Sequence, residues 1–270
     1  MKRFLALCLF LIVAASGLPA EAGTISMQTS TTCTGTGQGV RVEVSAINIG
    51  DEPAANVRIT ACFGDNTKSS LVKPELEPGW PFTARLLIHP ELSVPGAYPV
   101  EVRVDFHDMN GHPYSALSYS SFVYKQGADC QVFAEPTEVT LEGRGRLTLN
   151  LTNTGRDPQR VQIRLIAPME LSATPASRTI DIKARGKRKV SFDLENFAAR
   201  GGAGYTVLAF IEYEADGLHH TSVSQSRVCV LHTRNFFKRH QAALIIAAAG
   251  LILAVVLIQV FRPKDRGAEA

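Results

Sequence analysis

The chain has 270 residues, 45% of them hydrophobic, with 28 basic against 25 acidic residues and a formal net charge of only +3. No basic face is interleaved with aromatic residues, which argues against nucleic-acid binding. Once both ends are set aside, the length suits two domains of ~100 residues each.

Lys2 and Arg3 precede an apolar run from Phe4 to Ala15, and Ala20-Glu21-Ala22 supplies an A-x-A cleavage site. These features predict a secretory signal peptide over residues 1–22. The alternative, an uncleaved anchor, has a short apolar run for a span. Cys8 is too early, and Leu7 too large before it, for a lipoprotein signal.

The next segment alternates with period two, the signature of half-buried strands. In VRVEVSAIN, Val40, Val42, Val44 and Ala46 face one way, and in RLTLNLTN, Leu147, Leu149 and Leu151 do the same. Each strand meets an Asn-x-Gly-x-x-Pro turn. Asn48, Gly50 and Pro53 recur as Asn153, Gly155 and Pro158 at one fixed offset. The expected reason is that Asn and Gly tolerate left-handed backbone angles, while Pro fixes the exit. A second strand follows in each copy, then LEPG or IKARG, then a third strand. GAYPVEVRVDF then answers AGYTVLAFIEY. Asn110-Gly111 and Asp216-Gly217 are hairpin signals that close the copies. The reading is all-β: two tandem immunoglobulin-like β-sandwiches of about seven strands each, over 23–127 and 128–232. The KQGAD linker, Lys125 to Asp129, is too short to let them swing freely.

Ala242 to Phe261 carries no charge, which predicts one transmembrane helix over 242–261. A basic juxtamembrane segment, 233–241, precedes it, with Arg234, Lys238 and Arg239 placed for lipid headgroups. Residues 262–270 form a short tail. Basic residues flank both sides, so the signal peptide sets the orientation: sandwiches exported, tail cytoplasmic.

This pattern resembles the CARDB-type and NPCBM-associated immunoglobulin-like domains of prokaryotic envelope proteins. The matching features are Asn48, Gly50, Pro78, Gly79, Gly96 and Tyr98. In the second copy they are Asn153, Gly155, Gly186, Gly204 and Tyr205, with Arg185-Gly186 in place of Pro-Gly. The resemblance implies an adhesion, spacer or carbohydrate-adjacent module without catalysis. Four cysteines remain after the signal, Cys33, Cys62, Cys130 and Cys229, an even number in an oxidising compartment, so disulfides are expected. No C-x-x-C spacing points to zinc or a redox pair. The layout of such sandwiches implies Cys130–Cys229 and Cys33–Cys62 pairing; the alternative is free buried thiols.

No nucleophile, metal-protease or phosphate-loop motif is present, and neither an enzyme activity nor a cofactor is expected. GTGQG, Gly35 to Gly39, joins two strands and reads as a hairpin connection. His107 and His112 in one copy, and His219 and His220 in the other, sit with carboxylates on the last hairpins. They read as solvated pairs or as ligand contacts. Trp80, the single tryptophan, follows the Pro78-Gly79 turn. It folds over the pole of the sandwich, fills the interface between the domains, or seats a partner or sugar. The basic turn KARGKRK, Lys183 to Lys189, is a solvated loop or a contact for anionic polymer or lipid. The expectation is a single-pass envelope protein binding a protein or glycan partner. The alternative is an accessory subunit of a secretion or polymer-export complex, contacting partners through its helix, where AAAGLILA permits close packing.

Overall fold

The computed structural model describes residues 24–231 and 245–250. The expected signal peptide, juxtamembrane segment and tail lie outside the described residues. So does the expected transmembrane helix except at 245–250, which are helical. Among the described residues no helix is long and apolar enough to cross a membrane.

The chain is all-β. Its first half holds β1 (Met27–Thr36), β2 (Gly39–Asn48), β3 (Ala54–Phe63), β4 (Asn66–Ser69), β5 (Lys73–Leu76), β6 (Pro81–Ile88), β7 (Gly96–His107) and β8 (Pro113–Tyr124). The second holds β9 (Val132–Ala134), β10 (Glu138–Leu141), β11 (Arg144–Asn153), β12 (Gln159–Ile166), β13 (Leu171–Thr174), β14 (Ser177–Ile182), β15 (Lys187–Asn196), β16 (Gly204–Ala215) and β17 (Leu218–Val230). Eight and nine strands stand where about seven were expected, because short edge segments such as β4, β5 and β13 pair separately.

Each half has two sheet layers over its own core. In the first, β1-β2-β6 faces β8-β7-β3, with β4 and β5 on the outer edge of β3. Val42, Val44, Ile59, Leu76, Val100 and Val102 fill the space between. In the second, β13-β15-β11-β9 faces β14-β12-β16-β17, with β10 parallel to β17. Leu147, Leu149, Ile163, Phe192 and Ile211 form that core. Alternation puts these residues inward, as the period-two pattern requires.

The repeated turn forms the same buried hub twice. Asn48 is fully buried; its Nδ2 donates to Glu52 O at 2.7 Å and to Leu76 O at 3.3 Å. Its Oδ1 accepts from the Gly50 N–H at 3.0 Å. Asn153 repeats this with Asp157 O at 2.8 Å, Lys183 O at 3.2 Å and the Gly155 N–H at 2.9 Å. The expected left-handed angles are not the reason for these residues, since none of the four has a positive φ. Asn is required because one amide satisfies both a donor and two acceptors in a dry site. Gly is required at Gly50 because a Cβ would strike the backbone at Thr24 O, whereas at Gly155 a Cβ would displace only the end of the Gln131 side chain.

The two halves lie side by side. The outer face of β16 presents Leu208 and Phe210, both fully buried, and they pack with Ile166 and Val223 against Leu117 and Tyr119 of β8. The Arg164 guanidinium covers the Phe210 ring at 5.1 Å and faces Glu101 at 4.0 Å. At one end the halves share a sheet: His219 pairs with Gly96 in parallel, and its N–H donates to Pro95 O at 2.8 Å. Gly96 has φ +150°, and a Cβ there would meet His219 O at 2.1 Å. Only glycine admits this join. At the other end Ser115 of β8 meets Glu170. β7 and β17 therefore run in the same direction, so the His107 end of β7 lies level with the Leu231 end of β17 and the two halves are inverted relative to each other.

Two outcomes follow. Asn48→Ala or Asn153→Ala removes three hydrogen bonds to backbone groups and lowers stability by about 1–3 kcal/mol, read by urea titration. Phe210→Ala lowers it by about 3–5 kcal/mol and replaces one calorimetric transition with two, as the halves uncouple.

Candidate functional site

The four histidines do not converge. His107 precedes the Asp108–His112 loop and His112 ends it, while His219 and His220 lie at the opposite end of the interface. The length of β7 separates them, ~36 Å at the rise of an extended strand. His219 stacks on Tyr98 with ring centroids 4.1 Å apart and 2° between planes, and its Nε2 lies 3.3 Å from Glu212 Oε1. Glu214 stands opposite His219 in the register, yet the side chain pairs with Glu212. His220 stacks on Tyr213, with Nδ1 2.9 Å from Asp129 O and Nε2 3.3 Å from Ala215 O. This pair therefore holds the linker and the junction of the halves, where the sequence suggested a solvated hairpin. His107 Nδ1 is buried without a hydrogen-bond partner, whereas His112 is exposed. Among the described residues no group of three or more His, Cys, Asp or Glu could hold a metal ion.

The two hairpins also differ. Asp216 and Gly217, both with positive φ, make a two-residue turn between β16 and β17. Asn110-Gly111 belongs instead to a five-residue loop in which the Asp108 carboxylate accepts from the N–H groups of Asn110 and His112, each at 2.9 Å. These bonds hold the Asp108 carboxyl below its ordinary range against the opposing effect of burial.

Neither expected disulfide forms: Cys33, Cys62, Cys130 and Cys229 are free thiols. Cys33 packs against the first core, while alternation puts Cys62 on the other face of β3, beside Thr67 and Glu101. Cys130 sits beside Ser222 of β17. Cys229 lies seven residues further along that strand, ~23 Å away. A disulfide needs Cα atoms within ~7 Å. Burial pushes the Cys33, Cys62 and Cys130 thiols up.

Trp80 remains 66% exposed on its turn. Its N–H donates to Glu77 O, and Gly79 N–H donates to Asn48 O, so the Asn48 hub holds this turn in place. The Lys183–Lys189 turn is held by Asn153, at the pole opposite Leu231, where the described chain leaves β17. Its basic groups therefore point away from that exit. Arg234, Lys238 and Arg239 lie outside the described residues.

A cleft of about 230 Å³ opens between the halves at the exit pole. Thr24 to Met27 and Glu52 line one side, and Arg200 and Ala203 to Thr206 the other. Glu170, 1% exposed, forms its floor. The Ser115 N–H donates to Glu170 Oε1 at 2.8 Å, and the Ser115 hydroxyl donates to Oε2 at 2.9 Å while accepting from the Met169 N–H. Burial pushes the Glu170 carboxyl up, partly offset by these bonds. Among the described residues no cation pairs with it. Both Ser115 oxygen functions are used, so the pair acts as a polar latch between the halves. Glu170 and Ser115 have no motif around them in the sequence. The unbroken apolar run from Val207 to Ile211 was the available signal that β16 is buried on both faces.

No protein-family model matches the sequence, and no curated protein matches it. Among solved structures, Salmonella alpha-2-macroglobulin reacted with methylamine gives a TM-score of 0.32 at 12% identity, over 76% of this chain and 16% of that one. The native conformation of E. coli alpha-2-macroglobulin gives 0.30 at 13%, over 75% and 17%. The PapD-like domain 7 of human CEP192 gives 0.28 at 18%, over 38% and 87%. The chain thus spans about a sixth of the alpha-2-macroglobulins it matches. At these scores no activity or partner follows from the likeness.

Glu170 sets a pH dependence. Its carboxyl is raised in the folded protein, so its contribution to stability is full below the unfolded value, ~4.3, and is lost as pH rises through the folded value. Glu170→Gln keeps the acceptor for the Ser115 N–H and removes that loss. The variant's melting temperature is expected to fall less than the parent's as pH is raised from acid to neutral, with Glu101, raised for the same reason, retaining the rest of the slope.

Proposed function

We propose that the chain is a single-pass cell-envelope protein. Its two immunoglobulin-like domains, 23–127 and 128–232, act outside the membrane as one rigid, non-catalytic platform for a protein or glycan partner. The observation that carries this reading is the packing of Leu117 and Tyr119 of β8 against Leu208 and Phe210 of β16, closed by the Gly96–His219 join and the Ser115–Glu170 latch. A flexible tether between modules needs none of these contacts. A fixed platform needs all of them, because binding to a preordered surface avoids the ordering cost. The charge-free run 242–261 supports the anchor, and the A-x-A site at 20–22 supports export.

Crosslinking in native membranes followed by mass spectrometry tests the assignment. The expected result is recovery of an envelope protein or glycan through residues of 24–231, retained when the 242–261 segment is exchanged for an unrelated apolar helix. Recovery of a defined set of integral membrane proteins that is lost on that exchange would instead assign an accessory subunit acting through its helix.

A further inference from the structure

Six large apolar side chains stand exposed on one pole of the molecule: Ile49, Trp80, Met109, Met169, Phe197 and Leu231, at 47–68% of their full exposure. They come from both halves and from separate loops. Ile49 and Trp80 lie on the Asn48 hub and the turn bonded to it. Met109 lies in the Asp108–His112 loop. Met169 and Phe197 are bonded through their N–H groups to Ser115 and Glu170 at the interface latch. Leu231 is where the chain leaves β17, bonded to Leu141 O. The cleft that brings Thr24 and Glu52 against Arg200 and Gly204 shows that these loops share one level. The other large apolar side chains exposed on the sandwiches, Leu71, Val72, Val123 and Phe133, are scattered over the flank and the far pole. Scattered apolar residues need no explanation, but a cluster at one pole does.

The position of the chain's exit indicates what covers this pole. Ten residues, 232–241, separate Leu231 from the charge-free run 242–261. Fully extended they span at most ~35 Å. We propose that this pole rests on the headgroup region of the membrane that holds the chain. The proposal depends on the anchor reading above. A tether this short keeps the pole at ~mM effective concentration against the lipid surface, so individually weak contacts suffice. Trp and Phe favour the bilayer interface, where an apolar ring meets a wet boundary. Asp51, Glu77 and Glu142 lie on the same pole, so the contact stays at headgroup depth and favours zwitterionic lipid. The Lys183–Lys189 turn then points outward, away from the membrane.

The single tryptophan makes the test site-specific. The full chain is reconstituted into phosphatidylcholine vesicles carrying bromine at shallow or deep acyl positions, and Trp80 emission is recorded. The expected result is blue-shifted emission, quenched more by shallow than by deep bromine and protected from aqueous iodide. Phe197→Ser together with Met169→Ser, both at exposed sites, should reduce the bromolipid quenching while leaving far-ultraviolet dichroism unchanged. Water-like emission, open to iodide and unquenched by bromolipid in chains that float with the vesicles, would overturn the proposal and leave the anchor intact. Protection from both quenchers would overturn it in favour of a protein surface over Trp80. Failure of the chain to float with the vesicles would remove the anchor reading itself.

Discussion

The arrangement depends on one strand being buried twice. β16 sends Tyr205, Val207, Ala209 and Ile211 into the core of its own sandwich and Leu208 and Phe210 into the other half. Leu208 and Phe210 are fully excluded from water. Exposing two such side chains would cost about 1.5–3 kcal/mol each, which favours holding the halves together. The polar contacts at either end of this contact add direction more than energy. Gly96 against His219 and Ser115 against Glu170 can each form only when β7 and β17 run the same way. The apolar contact holds the halves together, and the polar contacts fix their register.

The repeat has a second consequence. An Asn hub at one pole of each sandwich organises the turn that follows β2 or β11, and each hub also ties down the segment before its first strand. The Ile49 N–H donates to Ser26 O in one copy and the Thr154 N–H to Gln131 O in the other. The same device is thus used for two ends. The first-half hub lies level with the chain's exit and carries Trp80 beside it. The second-half hub lies at the far pole and carries the basic turn. This follows from side-by-side packing with the halves inverted relative to each other. Duplicated sequence therefore presents two different surfaces, one apolar near the exit and one cationic away from it.

Much of the fold was legible because alternation is a local signal. Val40 to Ala46 and Leu147 to Leu151 face inward as read, and Asp216-Gly217 makes the tight turn its residues favour. The Asn-x-Gly-x-x-Pro motif was legible as a turn. Its reason was not, because close approach of Thr24 or Gln131 to the glycine is a tertiary fact. The pairing of cysteines failed for the same kind of reason. Strand neighbours can be inferred, but which face Cys62 takes and how far Cys130 lies along β17 depend on register. The histidines were picked for their neighbours in sequence, yet His219 and His220 serve the junction with Tyr98 and the linker. Glu170 carries no local signature and becomes notable only once Ser115, fifty-five residues earlier, lies against it.

The halves lie side by side, inverted, with the first-half hub level with the point where the chain leaves β17. The most direct measurement is a pulsed dipolar spectroscopy distance between spin-labelled unnatural amino acids at Asp51 and Arg200, in the full chain held in lipid nanodiscs. One narrow, short distance is expected, since the segments around both positions line a single cleft. A broad distribution extending beyond the length of one sandwich would contradict it, and would describe two domains joined end to end by a free linker.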